Sequence, residues 1–188
     1  MKNVYFLFGR FNPPTIAHKQ IIEEFVASAR KDGYTPILFV STKNGDKKNP
    51  LTFEEKVDII KSLNIHNLII NEDKSLNNII AVYRYFHQIG VERVKIVCGK
   101  DRYDTYKAFA DRNKTRFVES EVFMSNDKRL EKDGEEISAT SCRQSVLDGD
   151  YDKFKRLFAS DKESIVEQYF GIIKQRLDVL NTKKKRVK

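Results

Sequence analysis

The chain predicts an α/β fold built on a doubly wound, mostly parallel five-stranded sheet, and three observations carry that prediction. Short apolar runs recur at residues 4–8, 36–41, 68–70 and 94–98, and Ile37-Leu38-Phe39-Val40 is continuous, as in a strand buried on both faces of a parallel sheet. The segments between these runs place apolar residues at helical spacing. Gly33, Gly90, Gly99 and Gly149 punctuate the alternation.

Residues 4–8 form the first strand, and Gly9 ends it, allowing a tight turn or a close backbone approach. Pro13 and Pro14 stiffen the loop and forbid an early helix. Ile21, Ile22, Phe25, Val26 and Ala29 then lie on one face of the first helix, with Thr15 and His18 in its first turn. The second strand spans 36–41, and a polar loop at 42–50 carries Lys43, Lys47 and Lys48. Thr52-Phe53-Glu54-Glu55 fits a capping box, opening a helix with Val57, Ile59, Ile60 and Leu63 on its apolar side. A short third strand at 68–70 follows. A helix over 75–88 turns Leu76, Ile79, Ile80, Tyr83 and Phe86 inward, with Gly90 past its end. The fourth strand at 94–98 stops at Gly99, a helix covers 103–110, and alternation over 117–123 marks a fifth strand. Residues 124–136 are charged and without period and read as a mobile loop. Two short helices, 140–147 and 151–158, flank Gly149. From Lys162, the stripe of Ile165, Val166, Tyr169, Phe170, Ile173, Leu177 and Leu180 makes a C-terminal amphipathic helix. It is expected to dock on the domain or on a partner subunit, as in a homo-oligomer, rather than on a membrane. The sum is a Rossmann-like domain over 1–160, a helical extension over 161–182 and a basic tail over 183–188. In such sheets ligands sit beyond the carboxyl ends of the strands, so the loops after strands one, two and four should share one edge.

Composition narrows the function. Hydrophobic residues are 40% and charged residues 33% of the 188, the balance of a soluble globular domain. No apolar run approaches the ~20 residues of a membrane span, and the N-terminus has no cleavage signal. Cys98 and Cys142 form no metal-spaced pair, so reduced thiols in a cytoplasmic protein are expected. The three histidines lack zinc spacing. Of the net charge of +8, the tail residues Lys183, Lys184, Lys185, Arg186 and Lys188 supply five. A short basic tail can bind nucleic acid, but is more often a solvated end.

Chemistry concentrates after the first strand. Free N–H groups and the helix dipole at a helix N-terminus favour an anion, and the hydroxyl of Thr15 and the imidazole of His18 share that turn. Ser138 or Thr140 can cap the next candidate helix, and Arg143 sits one turn inside it, where a planar guanidinium can grip phosphate. At Gly99-Lys100-Asp101-Arg102, glycine permits close ligand approach and Asp101 could accept from ribose hydroxyls or an amide.

Gly9-Arg10-Phe11-Asn12-Pro13-Pro14-Thr15-Ile16-Ala17-His18 resembles the signature of nucleotidyltransferases with a His-x-Gly-His or Thr-x-x-His motif. These include nicotinamide-nucleotide and phosphopantetheine adenylyltransferases and several cytidylyltransferases. Thr15 stands where many members have His, and Ala17 where Gly is common. Ile137-Ser138-Ala139-Thr140-Ser141-Cys142-Arg143 resembles the Ile-Ser-x-Thr-x-x-Arg motif of the same family. From Gly99 to Phe158 the chain is also similar to small nucleotidyltransferases of bacteriophages. The resemblance covers roughly residues 1 to 160. It implies transfer of a nucleoside monophosphate from a triphosphate, ATP in preference to CTP, to a phosphate-bearing acceptor such as nicotinamide mononucleotide, with release of pyrophosphate. His18, Thr15 and Arg143 would then be catalytic. Gly9, Arg10, Phe11, Asn12, Lys43, Gly99, Asp101, Arg102, Ser138 and Thr140 would bind nucleotide, with the choice of Lys43 over the other two lysines of its loop left open. Mg²⁺ would ride on the triphosphate, with no metal ligands from the protein. The alternatives are a CTP-dependent cytidylyltransferase acting on a sugar- or alcohol-phosphate, and a non-catalytic nucleotide-binding or structural protein.

Overall fold

The computed structural model describes residues 1–125, 131–132 and 135–185. The chain divides into two compact units. The first comprises Met1–Gly9, Gln20–Ser41 and Ile65–Lys128, and the second Arg10–Lys19, Thr42–Asn64 and Arg129–Lys188.

The first unit holds the sheet. Strands β1 (Asn3–Gly9), β2 (Thr35–Val40), β3 (Ile69–Ile70), β4 (Arg93–Cys98) and β5 (Glu119–Met124) lie in the order β3-β2-β1-β4-β5. Every pairing is parallel, which confirms the doubly wound, Rossmann-like fold. On one face Phe6 and Phe39, edge-to-face at 5.6 Å between centroids, pack with Tyr83 and Phe86 of α3 (Ile79–Gln88). Tyr5 meets Phe25 of α1 (Ile16–Lys31) at 5.5 Å. Parallel pairing puts the carboxyl ends of β1, β2 and β4 at one edge, where the Ser41 N–H donates to the Gly9 carbonyl at 2.9 Å.

Two expectations shift here. The third helix begins at Ile79 rather than at 75, because the side chain of Asn78 accepts from the Ala81 N–H and caps it. The shift rotates the buried face: Val82 is buried and Ile80 is exposed. The helix expected over 103–110 is longer, α4 (Lys100–Asn113), with Gly99 at its N-cap.

The second unit is helical. Its elements are α2 (Phe53–Ser62), α5 (Ala139–Asp148), α6 (Tyr151–Leu157) and α7 (Glu163–Lys185). They enclose Leu51, Ile59, Cys142, Val146, Phe154, Val166 and Ile173. The capping box on α2 forms as its sequence requires: Thr52 accepts from the Glu55 N–H, and Glu55 accepts from the Thr52 N–H at 2.8 Å. Glu55 has a second task. Arg176 of α7 donates to it at 2.7 Å and to the Pro50 carbonyl at 2.8 Å. Burial alone would raise the Glu55 carboxyl, but Arg176 and the Thr52 N–H hold it below its usual value. Arg176→Ala is expected to cost about 1–2 kcal/mol, the range of a partly exposed pair, and so about 2–8 °C of Tm in thermal unfolding.

Within the stretch expected to be a mobile loop, β6 (Glu131–Lys132) and β7 (Glu135–Glu136) pair antiparallel; residues 126–130 and 133–134 lie outside the described residues. The last helix reaches Lys185, three residues into the expected tail, and 186–188 likewise lie outside the described residues. Both cysteines are buried and free. Among the described residues no helix is long and apolar enough to cross a membrane.

Candidate active site

The second unit carries a cavity of about 530 Å³, a size that accommodates a small-molecule ligand. Phe11, Asn12 and His18 line it from one side of the sequence and Ala139, Thr140 and Arg143 of α5 from the other. Arg10 and Lys48 add cationic groups.

His18 is held in one tautomer. The Thr15 N–H donates to its Nδ1 at 3.0 Å, and Thr15 Oγ1 lies 2.8 Å from the same atom. A backbone N–H can only donate, so Nδ1 accepts and the ring proton sits on Nε2. Burial pushes the pKa down to about 4, which keeps the ring neutral at physiological pH. The Phe11 ring meets the imidazole edge-on, 5.1 Å between centroids. His18 is thus a neutral, oriented hydrogen-bond donor through Nε2.

The loop that presents it is built tightly. The left-handed residue is Phe11, at φ 47°, and Gly9 ends the strand without a positive φ. The close turn therefore comes two residues later than glycine placement suggests, at a strain on the order of 1 kcal/mol. Asn12 is 2% exposed. Its amide donates to the Leu51 carbonyl at 3.1 Å and accepts from the Leu51 N–H at 2.9 Å, like a rung of a β-ladder. Both ends of that amide are engaged by the protein, so Asn12 shapes the wall rather than offering its side chain to a ligand. Thr15 pairs with Phe158, and the Ala159 N–H donates to the Pro14 carbonyl at 3.2 Å.

Arg143 closes the other wall. Its Nη1 donates to the Asn12 carbonyl at 2.7 Å and its Nη2 to Thr140 Oγ1 at 3.1 Å. Burial lowers its pKa, and the nearby Arg10 charge adds to that while the Asp46 carboxylate offsets part of it; a guanidinium stays protonated regardless. Like charges drawn together this way are relieved by an anion. Ser138 caps α5: it accepts from the Ser141 N–H at 3.0 Å, in a capping box. That places the N-terminus of α5, with Ala139 and Thr140, on the cavity, where its dipole favours negative charge.

Of the expected residues, Arg10, Phe11, Asn12, His18, Thr140 and Arg143 come together on one cavity, with Thr15 and Ser138 behind them. Lys48, rather than Lys43, is the lysine of its loop on the wall; the Lys43 carbonyl accepts from Lys56 Nζ at 3.0 Å. Sequence reasoning named Lys48 only as one of three lysines without choosing among them, and missed Asn49. Their only signal was a three-lysine loop ahead of a capping box. Gly9, Gly99, Asp101 and Arg102 belong to the first unit. There Gly99 adopts φ −71°, so its backbone does not demand glycine. Asp101 pairs with Arg102 at 3.4 Å on an exposed surface.

The sequence model of the cytidylyltransferase-like family matches residues 6–145. No curated protein matches the chain in sequence. Among solved structures, a Plasmodium falciparum nicotinic acid mononucleotide adenylyltransferase complexed with NaAD superposes at a TM-score of 0.64. It is 12% identical, over 90% of this chain and 96% of that one. A candidate nicotinate-nucleotide adenylyltransferase from Vibrio parahaemolyticus gives 0.62 at 17% identity, over 89% and 98%. A bifunctional NMN adenylyltransferase/ADP ribose pyrophosphatase from Francisella tularensis gives 0.64 at 15% identity. This chain is covered fully there and spans 56% of that protein.

Proposed function

The chain belongs to the cytidylyltransferase-like family of nucleotidyltransferases, and on that premise we propose that it transfers a nucleoside monophosphate from ATP to a phosphate-bearing acceptor such as nicotinamide mononucleotide. The observation that carries the reading is the convergence of a neutral Nε2–H donor with the cationic groups of Arg10, Lys48 and Arg143 on one cavity. An acceptor phosphate is already ionised at neutral pH, so no general base is required. Its oxygen attacks the α-phosphorus, the bond from that phosphorus to the bridging oxygen breaks, and pyrophosphate leaves with the electron pair. The chain's part is positioning and charge stabilisation. His18 Nε2–H donates to an α-phosphate oxygen as charge builds there. Thr15 holds the tautomer, and Arg143, with the N-terminus of α5, holds the β- and γ-phosphates.

Among the described residues no three His, Cys, Asp or Glu side chains gather to hold a metal. The lining of cations with the Thr140 hydroxyl suits phosphate oxygens, and Mg²⁺ bound to those oxygens would neutralise charge on the triphosphate. A CTP-dependent cytidylyltransferase acting on a sugar- or alcohol-phosphate is the second reading, supported by the matching family. A pyrophosphate-release assay over the four ribonucleoside triphosphates, each against nicotinamide mononucleotide, nicotinate mononucleotide and sugar- and alcohol-phosphates, separates them. Release with ATP and a mononucleotide is expected. Release confined to CTP favours the second reading, and no release with any pair favours a binding protein.

A further inference from the structure

Asn49 stands apart in the cavity. It is 5% exposed and lines the wall. Its Nδ2 donates to both carboxylate oxygens of Asp46, at 3.0 Å each. The same carboxylate accepts from the backbone N–H groups of Lys48 at 2.7 Å and of Asn49 at 2.9 Å. These bonds fix which way the amide faces, because turning it over would set Oδ1 against a carboxylate, acceptor on acceptor. Oδ1 is left on the side away from Asp46. Among the described residues it is the one buried side-chain nitrogen or oxygen without a hydrogen-bond partner. Buried polar atoms are nearly always paired, so an unpaired one in a residue that lines a ligand-sized cavity asks for a group the chain itself does not supply.

The rest of the cavity identifies that group. Arg10, Lys48, Arg143 and the Nε2–H of His18 are donors, and they suit phosphate oxygens. Asn49 Oδ1 is an acceptor among them. An ionised phosphate has no hydrogen for it, so the bound molecule must bring a donor within a few ångströms of its phosphates. In a nucleotide or a sugar phosphate that donor is a sugar hydroxyl. We propose that Asn49 Oδ1 accepts a hydrogen bond from a sugar hydroxyl of the phosphorylated ligand and thereby selects hydroxylated over deoxy ligands. This rests on the transferase reading, and the hydroxyl belongs either to the ribose of the triphosphate or to the sugar of the acceptor.

Binding calorimetry on the full chain tests it without turnover. ATP, 2′-deoxy-ATP and 3′-deoxy-ATP probe the first source, and ribose 5-phosphate against 2-deoxyribose 5-phosphate the second. In one of these sets the wild type should prefer the hydroxylated ligand by about 5- to 30-fold, the scale of one buried hydrogen bond. Asn49→Leu, similar in shape and without polar atoms, should abolish that preference. Asp46→Asn should also weaken it, because the Asn49 amide is then free to turn over, and this variant serves if Asn49→Leu does not fold. Equal binding of hydroxylated and deoxy forms by the wild type overturns the inference and leaves the transferase reading standing. A preference that survives either substitution, or an equal loss of both forms in Asn49→Leu, also overturns it. Failure of every probe to bind sinks the transferase reading as well.

Discussion

His18→Ala is expected to lower kcat by about 10²–10³, the scale of removing one donor that meets charge developing in a transition state, while triphosphate affinity changes little. The asymmetry follows from the tautomer. Nδ1 is occupied by the Thr15 N–H at 3.0 Å, so the ring has one free function, the Nε2–H. A neutral donor also predicts the pH behaviour. With the pKa depressed to about 4 by burial, kcat should show no histidine step between about pH 5 and 8. Stability should show one. Between about 6.5 and about 4 the unfolded chain binds a proton that the folded chain does not, so stability falls as pH drops through that window. His18→Ala should remove that part of the acid sensitivity. Single-turnover rates and melting temperatures across pH 4–8 decide the matter. A stable variant with wild-type rates would leave His18 a packing residue.

The second large effect is expected at Arg143. Arg143→Ala should weaken triphosphate binding by roughly 10- to 150-fold, the range of about 1.5–3 kcal/mol for hydrogen bonds to a charged group. The side chain also meets the protein itself. It is half-buried and spends one N–H on the Asn12 carbonyl, so its removal should also lower Tm by a few degrees. Arg143→Lys separates the two roles: it keeps the charge and loses the fork that reaches Asn12 and Thr140 together. Calorimetric affinity for the triphosphate should fall for Arg143→Lys also, by less than for Arg143→Ala. Unchanged affinity in both variants would remove Arg143 from the phosphate site.

The sheet was legible because parallel strands and their crossover helices carry strong periodic signals. β1, β2 and β4 stand where apolar runs put them. The capping box at Thr52 follows from local chemistry alone, and of Ser138 and Thr140, either of which could cap α5, Ser138 does so. The misreadings have local causes too. Period cannot fix where α3 starts, and the cap at Asn78 does; that error turned Ile80 inward on paper. Glycine placement points to Gly9 as the tight turn, whereas Phe11 adopts φ 47° in a loop braced by Asn12, Leu51 and Arg143. Lys48 and Asn49 had no period to mark them. Their place on the wall depends on the Asp46 turn and on contacts between residues 39 and 131 positions apart in sequence, which no window along the chain contains.

The most direct test of the central claim follows the phosphorus. With ATP labelled at the α-phosphorus and nicotinamide mononucleotide as acceptor, the label should appear in a dinucleotide product, with one pyrophosphate released per product. If the label stays in ADP while the γ-phosphorus moves to the acceptor or to water, the chain breaks a different bond and nucleotidyl transfer is contradicted.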